Sequence, residues 1–330
     1  MVDDNNKLAL KSNDTEEWID TVYTRPIGLL WARFFNSFDI HPNVVTILSL
    51  IIGVASSYFF VHDADTTTGL IYNIIGVLLL SWANIYDSTD GQMARMTGKK
   101  TRLGRILDGF AGDAWFFCIY VAIFLRLFHK PLFAINGKSL LESISLVFET
   151  LHWGYGGLAL VIFIGFVCHA RQCGLSDYYR NIHMFFIKGK SGSELDSYQQ
   201  QKALYDDASW KKQFIWKFFL FFYVRYTKSQ ENQTPNFQRL KQAIKEKYGD
   251  EIPSGLRNEF REYSLPLMKW ANILTFNTRA IVLYISCVID IPWIYLMFEL
   301  IVLTALYFYM RYKHETICKQ FTKWVNDGRW

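Results

Sequence analysis

Residues 70–108 read LIYNIIGVLLLSWANIYDSTDGQMARMTGKKTRLGRILD, and two regimes meet within them. Leu70 to Tyr86 is an uncharged apolar run of 17 residues, close to the roughly 20 that cross a bilayer core as a helix. From Asp87 onward the segment turns acidic, then rich in small residues, then basic. Apolar runs of similar length recur at about Asn43 to Val61, Ile106 to Leu125, Trp153 to Ala170, Trp270 to Ile289 and Ile291 to Met310. The expected fold class is therefore all-α, a bundle of six transmembrane helices.

The composition agrees. The 330 residues are 51% hydrophobic and 17% aromatic but only 20% charged, which excludes a disordered chain and disfavours a water-soluble domain. Five cysteines, Cys118, Cys168, Cys173, Cys287 and Cys318, lack the paired spacing of a disulfide framework or a zinc site. The net charge of +5 resides in Lys and Arg beside the apolar runs, so it reads as membrane orientation, with no nucleic-acid partner. The opening residues are hydrophilic and acidic, without the basic lead and short apolar core of a cleaved signal peptide.

Six regions follow. Residues 1–25 form a polar N-terminal segment. Residues 26–41 read as a helix lying in the membrane interface, with Pro26 at its first position and Ile27, Leu30, Trp31, Phe34, Phe35 and Phe38 on one side. Residues 42–172 carry spans one to four, 173–266 a cytoplasmic and interfacial helical insert, 267–312 spans five and six, and 313–330 a cytoplasmic tail. Within the insert, Trp210 to Tyr226 is aromatic and basic but too short to cross, and reads as a second interfacial helix. Phe237, Leu240, Ile244 and Tyr248 mark an amphipathic helix that Gly249 would end. Gly189-Lys190-Ser191 resembles the tail of a phosphate-binding loop, but Met184 stands where a glycine is needed, and a flexible loop is expected.

Lys99, Lys100, Arg102 and Arg105 lie between spans two and three, and the long fourth connection is basic as well, whereas His62-Asp63-Ala64-Asp65 and Asp290-Ile291-Pro292 contain neither Lys nor Arg. Both termini and the motif side are thus expected in the cytoplasm. The third connection, with Arg126, Lys130 and Lys138, fits this pattern poorly.

Asp87 and Asp90 are three residues apart and project to one side of a helix, while Asp108 begins the next helix from the same membrane face. Acidic groups at the edge of hydrocarbon are costly and need a partner. A hard divalent cation supplies one, and Mg²⁺ typically keeps positions open for substrate phosphates. Gly91, Ala94 and Gly104 leave a wall without bulk, and Arg95, Arg102 and Arg105 can neutralise phosphate oxygens. The plainer alternative pairs Asp87 and Asp90 with the nearby basic cluster.

This segment, Asp-x2-Asp-Gly-x2-Ala-Arg-x8-Gly-x3-Asp, resembles the signature of the CDP-alcohol phosphatidyltransferase (phosphotransferase) family, and His41-Pro42-Asn43-Val44-Val45-Thr46 resembles its Pro-Asn-x2-Thr element. The resemblance covers about Pro26 to Leu125 well and the long fourth connection not at all. It implies six-span membrane enzymes in which an acceptor hydroxyl attacks the β-phosphorus of a CDP-alcohol and displaces CMP. Carried over by position, it implies metal ligation by Asp87, Asp90 and Asp108 to two ions of Mg²⁺ or Mn²⁺. It also implies a nucleotide site lined by Gly91, Ala94, Arg95 and Gly104, with Asn43 and Thr46 beside it.

One position departs. The family pattern puts a fourth aspartate, the base, four residues after the third; here that residue is Gly112, and Asp113 comes one residue late. Four residues turn a helix by about 40°, five by about 140°. A π-bulge or late helix start between Asp108 and Asp113 is therefore expected, returning Asp113 to the site as base and metal ligand beside the catalytic Asp108. The alternatives are a pseudoenzyme and a reaction needing only metal-bound activation of the acceptor.

Two further sites stay open at this level. Arg279 in span five could bind an acceptor phosphate or pair with Glu299 in span six, and His169, Arg171 and Gln172 at the end of span four could contact an acceptor or anchor the helix. The function expected is phospholipid synthesis at the cytoplasmic face. CDP-diacylglycerol or another CDP-alcohol is the donor, a small polar alcohol the acceptor, membrane lipid the surroundings, and a homodimer an admissible assembly. A CDP-ethanolamine or CDP-choline donor with a lipid acceptor, a membrane prenyltransferase, and a transporter with an acidic cation site are the alternatives.

Overall fold

A computed structural model describes residues 12, 14–135, 138–139, 152–189, 193, 195–249 and 251–330. Much of the expected polar N-terminal segment, and Lys190 and Ser191 of the expected flexible loop, lie outside the described residues. Six helices are long and apolar enough to cross a membrane: Pro42–Phe60, Thr67–Thr97, Arg102–Leu127, Gly154–Lys188, Ser254–Val288 and Trp293–Asp327. This is the six-span, all-α architecture read from the hydropathy. The one strand pairing among the described residues is Ala134–Ile135 with Lys138–Ser139.

The described chain divides into two compact units. The first comprises Trp18–Ala170 and Asn277–Val302. It opens with a π-helical turn, Asp20–Thr24, that runs into α1, Arg25–Ser37, with Pro26 in its first turn as expected. Then come α2 (Pro42–Phe60), α3 (Thr67–Thr97) and α4 (Arg102–Leu127). Each starts on a side chain that satisfies an otherwise orphaned N–H. His41 Nδ1 accepts from Asn43 N at 3.2 Å, Thr66 Oγ1 from Gly69 N at 3.1 Å, and Thr101 Oγ1 from Gly104 N at 2.9 Å. Polar side chains inside these helices bond back to their own backbone: Ser49 to Thr46 O at 2.7 Å, Ser56 to Gly53 O at 2.6 Å, Thr89 to Ile85 O at 2.7 Å. That spares them any partner in the apolar surroundings.

The second span runs past the apolar window. α3 continues as a helix through the whole acidic and small-residue segment to Thr97, and Gly98 ends it in the left-handed conformation, φ 69°. Beside this end, α1 buries Ala32 and Phe35 against Val45 of α2 and Met93 of α3, with Trp31, Ile40, Tyr86 and Met96 around them. Its other face exposes Leu30, Phe34 and Phe38.

At the end of this unit away from Gly98, Arg126 ties the connections together. Its guanidinium donates to Asp290 Oδ1 at 2.6 Å, Asn73 Oδ1 at 2.8 Å, Cys287 O at 3.0 Å and Phe60 O at 3.3 Å, and lies 3.3 Å from Asp63. Lys130 adds a contact to Asp63 at 2.6 Å. Two of the three basic residues that fit the charge pattern poorly, Arg126 and Lys130, are therefore paired with the carboxylates of the two connections that have no Lys or Arg. Burial works to raise Asp290, but hydrogen bonds from Arg126 and the Ala64 N–H, with the Lys130 charge, hold its carboxyl below the usual range.

The second unit comprises Ser12–Glu17, Arg171–Phe276 and Leu303–Trp330. It includes the part of α5 (Gly154–Lys188) from Arg171 on, then α6 (Tyr198–Asp207), α7 (Phe214–Gln233), α8 (Pro235–Tyr248) and α9 (Ser254–Ile273). Helix α10 (Phe276–Val288) belongs to the first unit almost entirely, and α11 (Trp293–Asp327) supplies the second unit from Leu303. As the spacing predicts, α8 buries Phe237, Leu240 and Ile244, and Gly249 ends it with φ 67°. Asp14 holds this unit's N-terminal stretch to α9 through Arg261, at 2.6 and 2.9 Å, and to α5 through His183 at 3.2 Å. The Arg261 hydrogen bond, with His183 and against burial, keeps the Asp14 carboxyl below its ordinary value.

Removing one partner from a buried ion pair costs about 3–5 kcal/mol, so Arg126→Leu is expected to lower the unfolding temperature in detergent sharply. Asp290 has a depressed folded-state pKa, so its contribution is present above the unfolded carboxylate value of about 3.9 and is lost as the pH falls through the lower folded value. The stability difference between wild type and Asp290→Asn should therefore be constant near neutrality and shrink below about pH 4, measured by unfolding at each pH.

Candidate active site

The C-terminal third of α3 and the first two turns of α4 bring the predicted carboxylates together. One oxygen from each of Asp87, Asp90 and Asp108 lies within 4.8 Å of the others. Asp90 is 4% exposed, while Asp87 and Asp108 are half-buried. Thr46, whose hydroxyl donates to Pro42 O at 3.3 Å, and the Gly91 N–H stand beside Asp90, and Arg95 lies within its electrostatic reach. The Pro-Asn-x2-Thr element at the start of α2 is thus part of the site, through Thr46.

Asn43 takes its place by a different contact. A β-carbon at Gly104 would stand 2.7 Å from Asn43 Oδ1 and 2.9 Å from Thr101 Oγ1. Only glycine allows Asn43 to lie on the first turn of α4. A β-carbon at Gly91 would meet Arg95 Nη1 at 3.3 Å, so the guanidinium folds back over Gly91 one helical turn away. Ala94 is half-buried beside them, Arg105 likewise, and Arg102 is exposed. At the rim, Lys99 bonds Asp39 at 2.6 Å and holds that carboxyl below its usual value.

The expected bulge is absent. α4 is a regular α-helix from Arg102 to Leu127, already under way six residues before Asp108. Asp113 therefore keeps the roughly 140° turn from Asp108, is exposed, and is not among the carboxylates that converge. The Thr101 cap rules out a late helix start, and the helix stays regular between Asp108 and Asp113, with neither Gly109 nor Gly112 interrupting it. A β-carbon at either glycine would meet nothing within 4 Å, so this side of α4 is open.

Deeper among the first unit's spans, Arg279 pairs with Glu299 at 2.6 Å, both side chains fully buried. His169 joins them, 3.0 Å from Arg279 and 3.5 Å from Glu299. Tyr120 and Tyr295 complete the cluster through His169 at 3.0 Å and Glu299 at 2.7 Å. The Arg279 guanidinium is thus engaged by Glu299 rather than presented to a phosphate. His169 and Glu299 both sit in π-helical segments, Ile164–His169 and Phe298–Leu303. The two tyrosines were not legible beforehand, since nothing in an apolar run marks one tyrosine as a partner. In the second unit Gln172 bonds Thr304 at 2.9 Å.

The three carboxylates suit a divalent cation. They offer oxygen donors alone, the set hard cations prefer, and Asp90 Oδ2 is buried without a hydrogen-bond partner among the described residues, a deficit that a bound cation would relieve.

Comparison with known proteins agrees with this geometry. Residues 39–164 match the model of the CDP-alcohol phosphatidyltransferase family, a family of transferases for substituted phosphate groups. The matched segment contains all three carboxylates and the Asn43 and Thr46 element. A protein of Aquifex aeolicus (strain VF5), itself described as uncharacterized, is 30% identical over 78 residues, 23% of this chain and 35% of that relative. The chain thus spans about a third of the length of the curated relative it matches. No solved structure matches.

Mn²⁺ binding reports the site without any substrate. Asp87→Asn, Asp90→Asn and Asp108→Asn are each expected to weaken it at least tenfold, about 1.4 kcal/mol, in electron paramagnetic resonance titrations of purified protein; Asp113→Asn should leave it unchanged.

Proposed function

We propose that this chain is an integral membrane phosphotransferase that moves a phosphatidyl group from a CDP-alcohol, preferably CDP-diacylglycerol, to the hydroxyl of a small polar alcohol and releases CMP. The observation that carries the reading is the convergence of Asp87, Asp90 and Asp108 beside the Gly104 and Asn43 contact, within the segment that matches the family. A lipidic donor is preferred because the carboxylates stand where an apolar helix turns polar, next to α1 with its exposed Leu30, Phe34 and Phe38.

In this reading Asp87, Asp90 and Asp108 hold Mg²⁺ or Mn²⁺, in two ions. A metal held there would supply charge neutralisation at the diphosphate and at the leaving CMP. Thr46 and the Gly91 N–H stand beside Asp90, and Arg95 adds positive charge over the smooth wall of Gly91 and Ala94. Asn43, lodged against Gly104, fixes the start of α2 to the start of α4. The acceptor oxygen forms a bond to the β-phosphorus as the bond from that phosphorus to the CMP oxygen breaks, and the acceptor proton passes to a base. Asp113 is kept only as candidate for that base. It lies one turn beyond Gly109 on the open side of α4, and it is left out of the metal set.

The site, both termini and the helical insert are assigned to the cytoplasmic face, by the basic residues around the motif and the pairing of Arg126 and Lys130 at the other end. The α7 helix is assigned to the interface. It exposes Phe214, Ile215, Phe218 and Phe222, and Lys217 lies 4.5 Å over the Tyr205 ring.

A donor-by-acceptor screen of CMP release by purified protein with Mg²⁺ tests the reading. CMP is expected with a CDP-alcohol and to be abolished in Asp108→Asn; unchanged release there removes the metal assignment. Asp113→Asn should slow release by roughly 10²–10⁴-fold if that carboxylate is the base, and unchanged release assigns the proton elsewhere. No CMP from any donor, with Mg²⁺-independent flux in liposomes, would favour a transporter instead.

A further inference from the structure

The second unit contains a ligand-type cluster unrelated to the three aspartates. His314, Glu315 and Cys318 on α11 are 1%, 9% and 0% exposed, and one ligand atom from each lies within 4.8 Å of the others. His314 and Cys318 are four residues apart and so share a helix face, while the longer Glu315 side chain reaches them from the neighbouring position.

Hydrogen bonding inside the protein accounts for only part of this cluster. Cys318 Sγ lies 3.5 Å from His314 Nδ1, and Glu315 Oε2 accepts from Asn236 N at 2.6 Å, capping the start of α8. His314 Nε2, Glu315 Oε1 and the Tyr179 hydroxyl are buried with no hydrogen-bond partner among the described residues. The Tyr179 ring stacks on His314 with centroids 3.9 Å apart, so the three unsatisfied atoms belong to one locality. Buried polar atoms without partners are rare, and three together call for a missing partner.

The geometry points to a structural zinc site in which His314, Glu315 and Cys318 are ligands, linking α11 to the start of α8 through Glu315. A thiolate, an imidazole and a carboxylate form a borderline-soft donor set that suits Zn²⁺ and not Mg²⁺. Tetrahedral ligands at 2.0–2.3 Å from zinc stand about 3.3–3.8 Å apart. Either imidazole nitrogen can ligate, and the fourth position is left to water or the Tyr179 hydroxyl. Binding releases the thiol proton to solvent, with no change of oxidation state. The even spacing sought among the five cysteines could not show this site, because it uses a single cysteine.

Elemental analysis of the full chain, purified in detergent without chelator, tests the inference. Roughly one zinc per chain is expected, lost in His314→Gln and in Cys318→Ser and retained in Asp108→Asn. Zinc retained in both of the first two variants, or none in the folded wild type, overturns it; in the latter case water meets the unsatisfied atoms. Should those variants fail to fold, Co²⁺ loading of the wild type decides. A thiolate-to-Co²⁺ charge-transfer band supports the site, and its absence in folded, Co²⁺-treated protein overturns it.

Discussion

Three carboxylates held within 4.8 Å of one another repel, by about 3–4 kcal/mol per pair at an effective dielectric near 20. The fold around them follows from keeping that arrangement. Asp90 lies beside Thr46 from the start of α2, and Asp108 stands in the second turn of α4, which begins at the Thr101 cap. Three helix ends therefore meet at one place. Such a cluster makes physical sense when positive charge joins it, from Arg95 within the chain and from a divalent cation bound to the oxygens.

Charge is handled differently elsewhere in the first unit. Arg126 engages two carboxylates, one side-chain amide and two carbonyls, and Arg279 is matched by Glu299 with His169 and two tyrosines around them. Both arginines are internally compensated, as ionisable groups inside a membrane bundle must be. The aspartate trio is acidic on all three sides, and Asp90 Oδ2 has no hydrogen-bond partner among the described residues. That contrast separates the group suited to ligand chemistry from those that hold helices together.

Asp113 shows how much an unbroken helix decides. With α4 beginning at Arg102, the five-residue step from Asp108 turns Asp113 away, and the flexible glycines at 109 and 112 do not alter it. Asp113 stands on the open side of α4, apart from the three carboxylates that converge, so its role is separable from theirs.

Hydropathy period and length are local properties, so the six spans, the amphipathic α8 with its Gly249 stop, and the Asp87 to Asp108 motif were all legible in the amino-acid sequence. Spacing also placed Gly104 one turn before Asp108, and the family resemblance implied Asn43 and Thr46 beside the carboxylates before any contact was known. What only the tertiary structure decided depends on helix phase and on residues far apart in the chain. Arg126 finds Asp63 and Asp290 across 227 residues of sequence, Arg279 takes Glu299 as its partner, and a buried histidine, glutamate and cysteine gather where cysteine spacing gave no sign. Burial is the reason. Side chains removed from water must find partners, and which partner is within reach is set by how the helices pack.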